Sequence, residues 1–310
     1  MTAVVALLLL ATTVVGVRSR TAARARRGVA ARLRVGEDGI VAGAATIDLR
    51  GDGKRAVLLL HGFGDTPQTL AYLATYIHSY GWTVRAPLLP GHGRTLPTFA
   101  ASRADDWIDF ARRELDALLE QHDVVSVVGL SMGGSLATIL AAERNEIRAQ
   151  ALLAPYLSMP TRLRRAAGAH HVLGAVLPYL RGGGEHSIRD PAEAARNLAY
   201  GFTTPRLVFE LARVVDRARA AASRVETPTL VIQSRQDNRI PPEAAERAFS
   251  LFAAGDRRLM WTEGNGHIIT VDYGRQAIFA AVVEWIERHA PREESETPGG
   301  GQATDQPRTM

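Results

Sequence analysis

Gly129-Leu130-Ser131-Met132-Gly133 decides how this chain is read. It follows the apolar run Val124-Val125-Ser126-Val127-Val128 and opens an Ala-rich segment that reads as a helix. A Gly-x-Ser-x-Gly at a strand–turn–helix junction lifts the serine hydroxyl clear of a sheet and points the next backbone N–H at the same place. The flanking glycines, lacking Cβ, leave room for so sharp a turn. The same five residues also fit a plain small-residue turn entering a packed helix. The rest of the sequence chooses between the two.

Outward from the elbow, short apolar runs alternate with helical segments. Arg55–Leu60 ends at His61-Gly62 and reads as a fully buried strand. Thr83–Pro87, Val124–Gly129, Ala149–Ala154, Thr229–Ser234 and Arg258–Thr262 read as the further strands, and residues 39–50 suggest an antiparallel edge pair. Strands alternating with helices predict an α/β fold: a mostly parallel central sheet with helices on both faces. The alternation breaks between Pro155 and Thr227, a stretch holding Pro160, Gly168, Pro178, Pro191 and Pro205. We read residues 156–226 as an inserted helical lid. A long crossover with two ordinary helices is the alternative.

A serine hydroxyl is a poor nucleophile at neutral pH and needs a base, which in turn needs an orienting acid. Of the nine histidines, His267 alone sits in a Gly-rich loop after the last expected strand, Glu263-Gly264-Asn265-Gly266-His267. Asp237 follows the strand Thr229–Ser234 at the same edge. The chain order Ser131, Asp237, His267 is the one expected of a serine on such an elbow. Capping of the helix after Pro241-Pro242 is the structural use for Asp237, and Glu263 is the reserve acid. Two N–H groups are expected to face a developing oxyanion, those of Met132 and of Phe63 in the loop His61-Gly62-Phe63-Gly64. His61 reads as a residue that holds this loop, His92 as a structural hydrogen-bonding group, and Asp105-Asp106-Trp107 as the capped start of a helix.

The chain has 310 residues, of which 46% are hydrophobic, enough for a full core. It has no cysteine, which excludes thiol chemistry, Cys-ligated metal and disulfides. Seven arginines, Arg18, Arg20, Arg24, Arg26, Arg27, Arg32 and Arg34, lie in a stretch without acids, and without them the formal charge of +5 becomes −2. The body is therefore slightly acidic, with no nucleic-acid-binding stripe.

Residues 3–17 are apolar apart from Thr12 and Thr13, and the arginines follow directly. Positive charge after the apolar run, not before it, suggests a membrane anchor or membrane-surface helix with its C-terminal side in the cytoplasm. A cleaved signal and an inert extension are the other readings. As a helix the run spans about 22 Å, short of the ~30 Å hydrocarbon core. The expected divisions are residues 1–34 for this segment, 35–155 and 227–290 for the core, 156–226 for the lid, and 291–310 for a disordered tail rich in Gly, Pro, Glu and Thr.

His61-Gly62-Phe63-Gly64, Pro90-Gly91-His92-Gly93, Asp105-Asp106-Trp107, Gly129–Gly134, Gln233–Asp237 and Gly266–Asp272 occur in that order. Together they resemble bacterial carboxylesterases and monoacylglycerol lipases of the α/β-hydrolase superfamily, over roughly residues 50–288. The resemblance implies hydrolysis of carboxylic esters through an acyl-serine, without metal or cofactor, on small acyl-ester or lipid substrates. It leaves open a thioesterase, lysophospholipase or perhydrolase using the same three residues. A membrane-tethered module that keeps the fold without catalysis is a further alternative. The expected location is membrane-associated with a cytoplasmic catalytic domain, against a secreted or soluble cytoplasmic protein.

Overall fold

The computed structural model describes residues 2–51, 53–182 and 187–289, with the backbone alone at residues 2–4, 6–8, 10 and 11. The expected disordered tail at 291–310 lies outside the described residues. In chain order the elements are α1 (Thr2–Arg32), β1 (Ile47–Leu49), β2 (Arg55–Leu60), α2 (Ala71–His78), β3 (Thr83–Ala86), α3 (Leu96–Ala100), α4 (Ala104–Gln121), β4 (Val124–Leu130), α5 (Met132–Glu143) and β5 (Ile147–Leu153). They continue with α6 (Thr161–Gly168), α7 (His170–Val176), β6 (Leu180–Arg181), α8 (Pro191–Arg196), β7 (Phe202–Thr203), α9 (Pro205–Ala222), β8 (Thr229–Ser234), α10 (Pro242–Phe249), β9 (Arg257–Thr262) and α11 (Arg275–His289).

Seven strands form one sheet in the order β1-β3-β2-β4-β5-β8-β9. Only β1 runs antiparallel, against β3. Where an edge pair was expected in residues 39–50 there is one strand, and Val41 instead makes an isolated bridge to Val35. Every residue of β2 is buried. Its side chains alternate between two layers, as a pleat requires. Ala56, Leu58 and Leu60 face a core shared with Trp107, Leu136 and Val214. Val57 and Leu59 face a second core with Leu73, Ile77, Ile278 and Trp285. Helices therefore cover both faces, which is why these strands read as unbroken apolar runs. This is the α/β-hydrolase fold.

In the stretch 156–226, α9 packs along α5 and α4. Val208, Leu211, Val214, Val215 and Ala218 are buried in the same core as Leu136 and Leu140. Helices α6 and α7 pack on α9, and β6 pairs with β7, a two-stranded ladder that the sequence reading did not anticipate. Long-range polar contacts tie α9 to the body. Asp105 pairs with Arg213 at 2.9 Å and Arg217 at 2.7 Å. The first amide of α4, Ala104 N–H, donates to Glu210 Oε2 at 3.1 Å. The cap of α4 thus comes from α9, not from its own Asp105-Asp106 sequence, and position 103 is an arginine with no capping bond.

Helix α1 is longer than its apolar run. Ala25, Val29 and Leu33 recur every four residues and are buried at 3–4% exposure against the body. Arg18 donates to the carbonyls of Ala175 (2.9 Å) and Gly174. Arg32 donates to those of Asn197 (3.1 Å) and Ala199. Among the described residues no helix is long and apolar enough to cross a membrane. Burying Val29 and Leu33 is worth about 3–5 kcal/mol together. A chain beginning at Val35 is therefore expected to melt several degrees below the full chain. One beginning at Arg18 should melt within about 2 °C of it. Equal melting temperatures for all three would contradict the docking of α1.

Candidate active site

The three polar residues read from the sequence meet above the carboxyl ends of the strands. Ser131 follows β4, Asp237 follows β8 and His267 follows β9. His267 Nδ1 lies 2.8 Å from Asp237 Oδ2, and His267 Nε2 lies 2.8 Å from Ser131 Oγ. With a carboxylate accepting at Nδ1, the proton sits there and Nε2 accepts from the Ser131 hydroxyl. Asp237 is held in turn. Its Oδ1 accepts the amides of Arg239 (2.7 Å) and Ile240 (3.0 Å), and Oδ2 accepts Gln233 Nε2 (2.7 Å). Burial pushes this carboxyl up, but the charge and hydrogen bond of His267 and the two amides outweigh it and hold its pKa below the ordinary value. Glu263, the reserve acid, is exposed and reaches toward Arg235 at 3.8 Å instead.

Ser131 is under backbone strain, with φ 54° and ψ −115°; Ala154, just after β5, is the other non-glycine residue with positive φ among the described residues. The flanking glycines do not adopt positive φ. They are needed for space. A Cβ on Gly129 would fall on the carbonyl of Gly133, and one on Gly133 on the carbonyl of Leu60. That close approach seats α5 against β2 and β4. The first amide of α5, Met132 N–H, has no acceptor one turn back. The loop of Phe63 adjoins it: the Cβ position of Gly62 is 3.4 Å from Ser131 Cβ.

Residues 51–273 match the family described as serine aminopeptidase, S33. The chain belongs to that family. It is 28% identical over 240 residues, 77% of this chain and 93% of the other, to a thermostable monoacylglycerol lipase of Bacillus sp. (strain H-257). It is 25% identical over 238 residues, 76% and 94% of the two chains, to a carboxylesterase of Bacillus subtilis (strain 168). A solved structure from work on LipS and LipT, two metagenome-derived lipolytic enzymes, superposes with a TM-score of 0.73 at 30% identity, covering 80% of this chain and 98% of that one.

In this family member an aromatic cluster fixes the loop that carries Phe63. The Phe63 ring packs on Phe99 (centroids 5.3 Å apart) and Trp107 (5.9 Å), and Phe99 stacks on Tyr200 at 4.6 Å. His61 accepts Leu89 N–H at Nε2 (3.1 Å) and donates from Nδ1 to Gly62 O (2.9 Å). Burial pulls its pKa down to about 4, so it stays neutral and structural. His92 is buried beside it and likewise held neutral. Sequence reasoning passed over Asp272, although the residue lay in the quoted motif. Its buried carboxylate accepts the amides of Gly266 (2.7 Å), Arg189 (2.8 Å), Asp190 (2.9 Å) and Tyr273 (2.9 Å). It thereby ties the His267 loop to the segment before α8. The hollows of about 510 and 470 Å³ lined by Asp105 and Arg217, and by Met159 and Arg219, touch none of Ser131, Asp237 and His267. Ser131 itself is half-buried.

Two residues past Phe63, Asp65 is buried, and one of its oxygens has no hydrogen-bond partner among the described residues. Burial pushes its carboxyl up to about 6, against the Thr69 hydroxyl, the Thr66 amide and the charge of His267. An acid whose folded pKa exceeds its unfolded one favours folding at low pH and loses that contribution as pH rises through the folded value. Asp65→Asn should therefore stabilise the protein increasingly from about pH 4 to pH 6 and hold that gain above. At about 1.4 kcal/mol per tenfold change in proton affinity, the gain is about 2–3 kcal/mol at most. Urea midpoints near pH 4.5 and pH 8 measure it. An equal difference at both would contradict the burial argument.

Proposed function

We propose that this chain hydrolyses carboxylic esters of monoacylglycerol-like or other short- and medium-chain acyl type. The observation that carries the reading is the unbroken chain Ser131 Oγ–His267 Nε2 and His267 Nδ1–Asp237 Oδ2, 2.8 Å at each link. Membership of a serine-hydrolase family and the two relatives support the ester class. Ser131 attacks the acyl carbon as His267 takes its proton. The N–H groups of Phe63 and Met132 hold the oxyanion. His267 then returns the proton to the departing alcohol, and a water repeats the sequence on the acyl-serine. Asp237 fixes the imidazole and stabilises its charged form.

Helices α6 and α7, which pack on α9, serve as the lid over the acyl group. Exposed Val5, Leu9, Val15 and Val17 of α1 and exposed Val172 and Val176 of α7 offer apolar side chains to lipid surfaces. Arg20, Arg24, Arg26 and Arg27 are exposed along α1 to meet anionic headgroups, whereas Arg18 and Arg32 are spent on carbonyls. The test is a panel of 4-nitrophenyl esters from acetate to laurate, monoacylglycerols, an acyl thioester and aminoacyl 4-nitroanilides. Ester turnover exceeding that of the thioester and anilides supports the reading. Anilide turnover without ester turnover would replace it with peptide hydrolysis.

A further inference from the structure

Arg239 lies two residues past Asp237 and is half-buried. Among the described residues its side chain makes one hydrogen bond, from Nε to Ser187 Oγ at 3.2 Å. Among the described residues no carboxylate lies within ion-pair distance of it, and both terminal nitrogens are without a protein acceptor. Other partly buried arginines are satisfied: Arg55 by Glu287 at 2.8 Å, Arg85 by Glu114 at 2.8 Å, Arg213 by Glu210 at 2.9 Å. A half-buried cation without an anion costs folding free energy. Burial accordingly pulls the guanidinium pKa down, with Tyr156 and Asp237 pulling the other way.

The surroundings place this charge at the reaction centre. The Arg239 amide binds Asp237 Oδ1 at 2.7 Å. Ser187, which takes its Nε–H, accepts through its carbonyl the amide of Ile268, the residue after His267, at 2.9 Å. Tyr156, within electrostatic reach of the guanidinium, donates its own amide to Ser131 O at 3.0 Å. Tyr156 is 8% exposed, and its hydroxyl makes no hydrogen bond with a described residue. Arg239 is thus hydrogen-bonded to Asp237 itself, and its neighbours Tyr156 and Ser187 are each one backbone hydrogen bond from Ser131 or from the residue after His267. Two donors without a partner among the described residues, one of them charged, thus lie within electrostatic reach of each other beside the site.

We propose that Arg239, with the Tyr156 hydroxyl, forms a subsite for a carboxylate or phosphate carried by the ester substrate. This rests on the ester-hydrolase reading and narrows its substrate class to acidic esters. A guanidinium presents parallel N–H donors to a planar or tetrahedral oxyanion, and burial strengthens the contact.

The test compares two matched pairs. Mono-(4-nitrophenyl) glutarate against 4-nitrophenyl pentanoate puts the charge on the acyl half. 1-Butanoylglycerol 3-phosphate against 1-butanoylglycerol puts it on the alcohol half. In Arg239→Leu the ratio of kcat/KM for the charged over the neutral ester should fall about ten- to a hundredfold in one pair, which identifies the half. Arg239→Lys should restore part of it. Arg239→Gln serves if the leucine variant does not fold. Charged and neutral esters falling together would overturn the proposal and assign Arg239 to support of Asp237. Unchanged ratios in both pairs would overturn it outright. If the unmodified protein cleaves none of the four, the ester reading fails, and titration calorimetry with glutarate and glycerol 3-phosphate decides the subsite separately. Binding lost in Arg239→Leu supports it, and no binding to the unmodified protein overturns it.

Discussion

Ser131→Ala is expected to lower kcat for ester hydrolysis by roughly 10⁴- to 10⁶-fold. The loss is that large because nothing else can take the acyl group. The His267 imidazole remains oriented by Asp237, but no hydroxyl is left at 2.8 Å from its Nε2 for it to activate. The fold should survive. Alanine keeps the Cβ, accepts φ 54° at the same cost as serine, and removes one half-buried hydroxyl. The melting temperature should stay within a few degrees. A purified variant that keeps more than about 1% of activity, with a matching melt, would mean that the nucleophile lies elsewhere.

Gly133→Ala should cost about 3–5 kcal/mol, or prevent accumulation of folded protein. Its Cβ would collide with the carbonyl oxygen and carbon of Leu60 and press on the carbonyl of His61 at 2.9 Å. These atoms belong to the backbone of β2 and its loop, and no side-chain rotation can move them aside. Relief requires α5 to lift off the sheet, carrying Met132 N–H and Ser131 with it. Activity should therefore fall together with stability. A urea midpoint equal to that of the unmodified chain would show that α5 does not sit against β2 as described. Gly168, where a Cβ meets nothing within 4 Å, is the control position.

Much of this was legible in the residues because parallel strands buried on both faces leave an unmistakable apolar run. Once β4, β8 and β9 are placed, Ser131, Asp237 and His267 fall at one edge by topology alone. The elbow glycines were legible as a need for space, but the atoms that set it were not. Strain sits on Ser131, and the glycines answer to backbone atoms on β2 and within α5 that sequence spacing does not reveal. Contacts between distant segments left no local signal. Glu210 caps α4 from α9, and Tyr200 stacks on Phe99 to brace the Phe63 loop. The Ala25, Val29, Leu33 stripe did have helical periodicity, but the apolar run before it and the arginines around it dominated the reading. Arg239 was invisible as one arginine in an arginine-rich chain. What distinguishes it is the lack of an anionic partner among the described residues.

Ester hydrolysis by this chain requires that Ser131 be chemically activated. Incubation of the folded full-length chain with a fluorophosphonate, followed by mass spectrometry of the adduct, measures this directly. One adduct per chain is expected, on Ser131, disappearing in Ser131→Ala and forming much more slowly in His267→Ala. No adduct, or one on another serine, would contradict it.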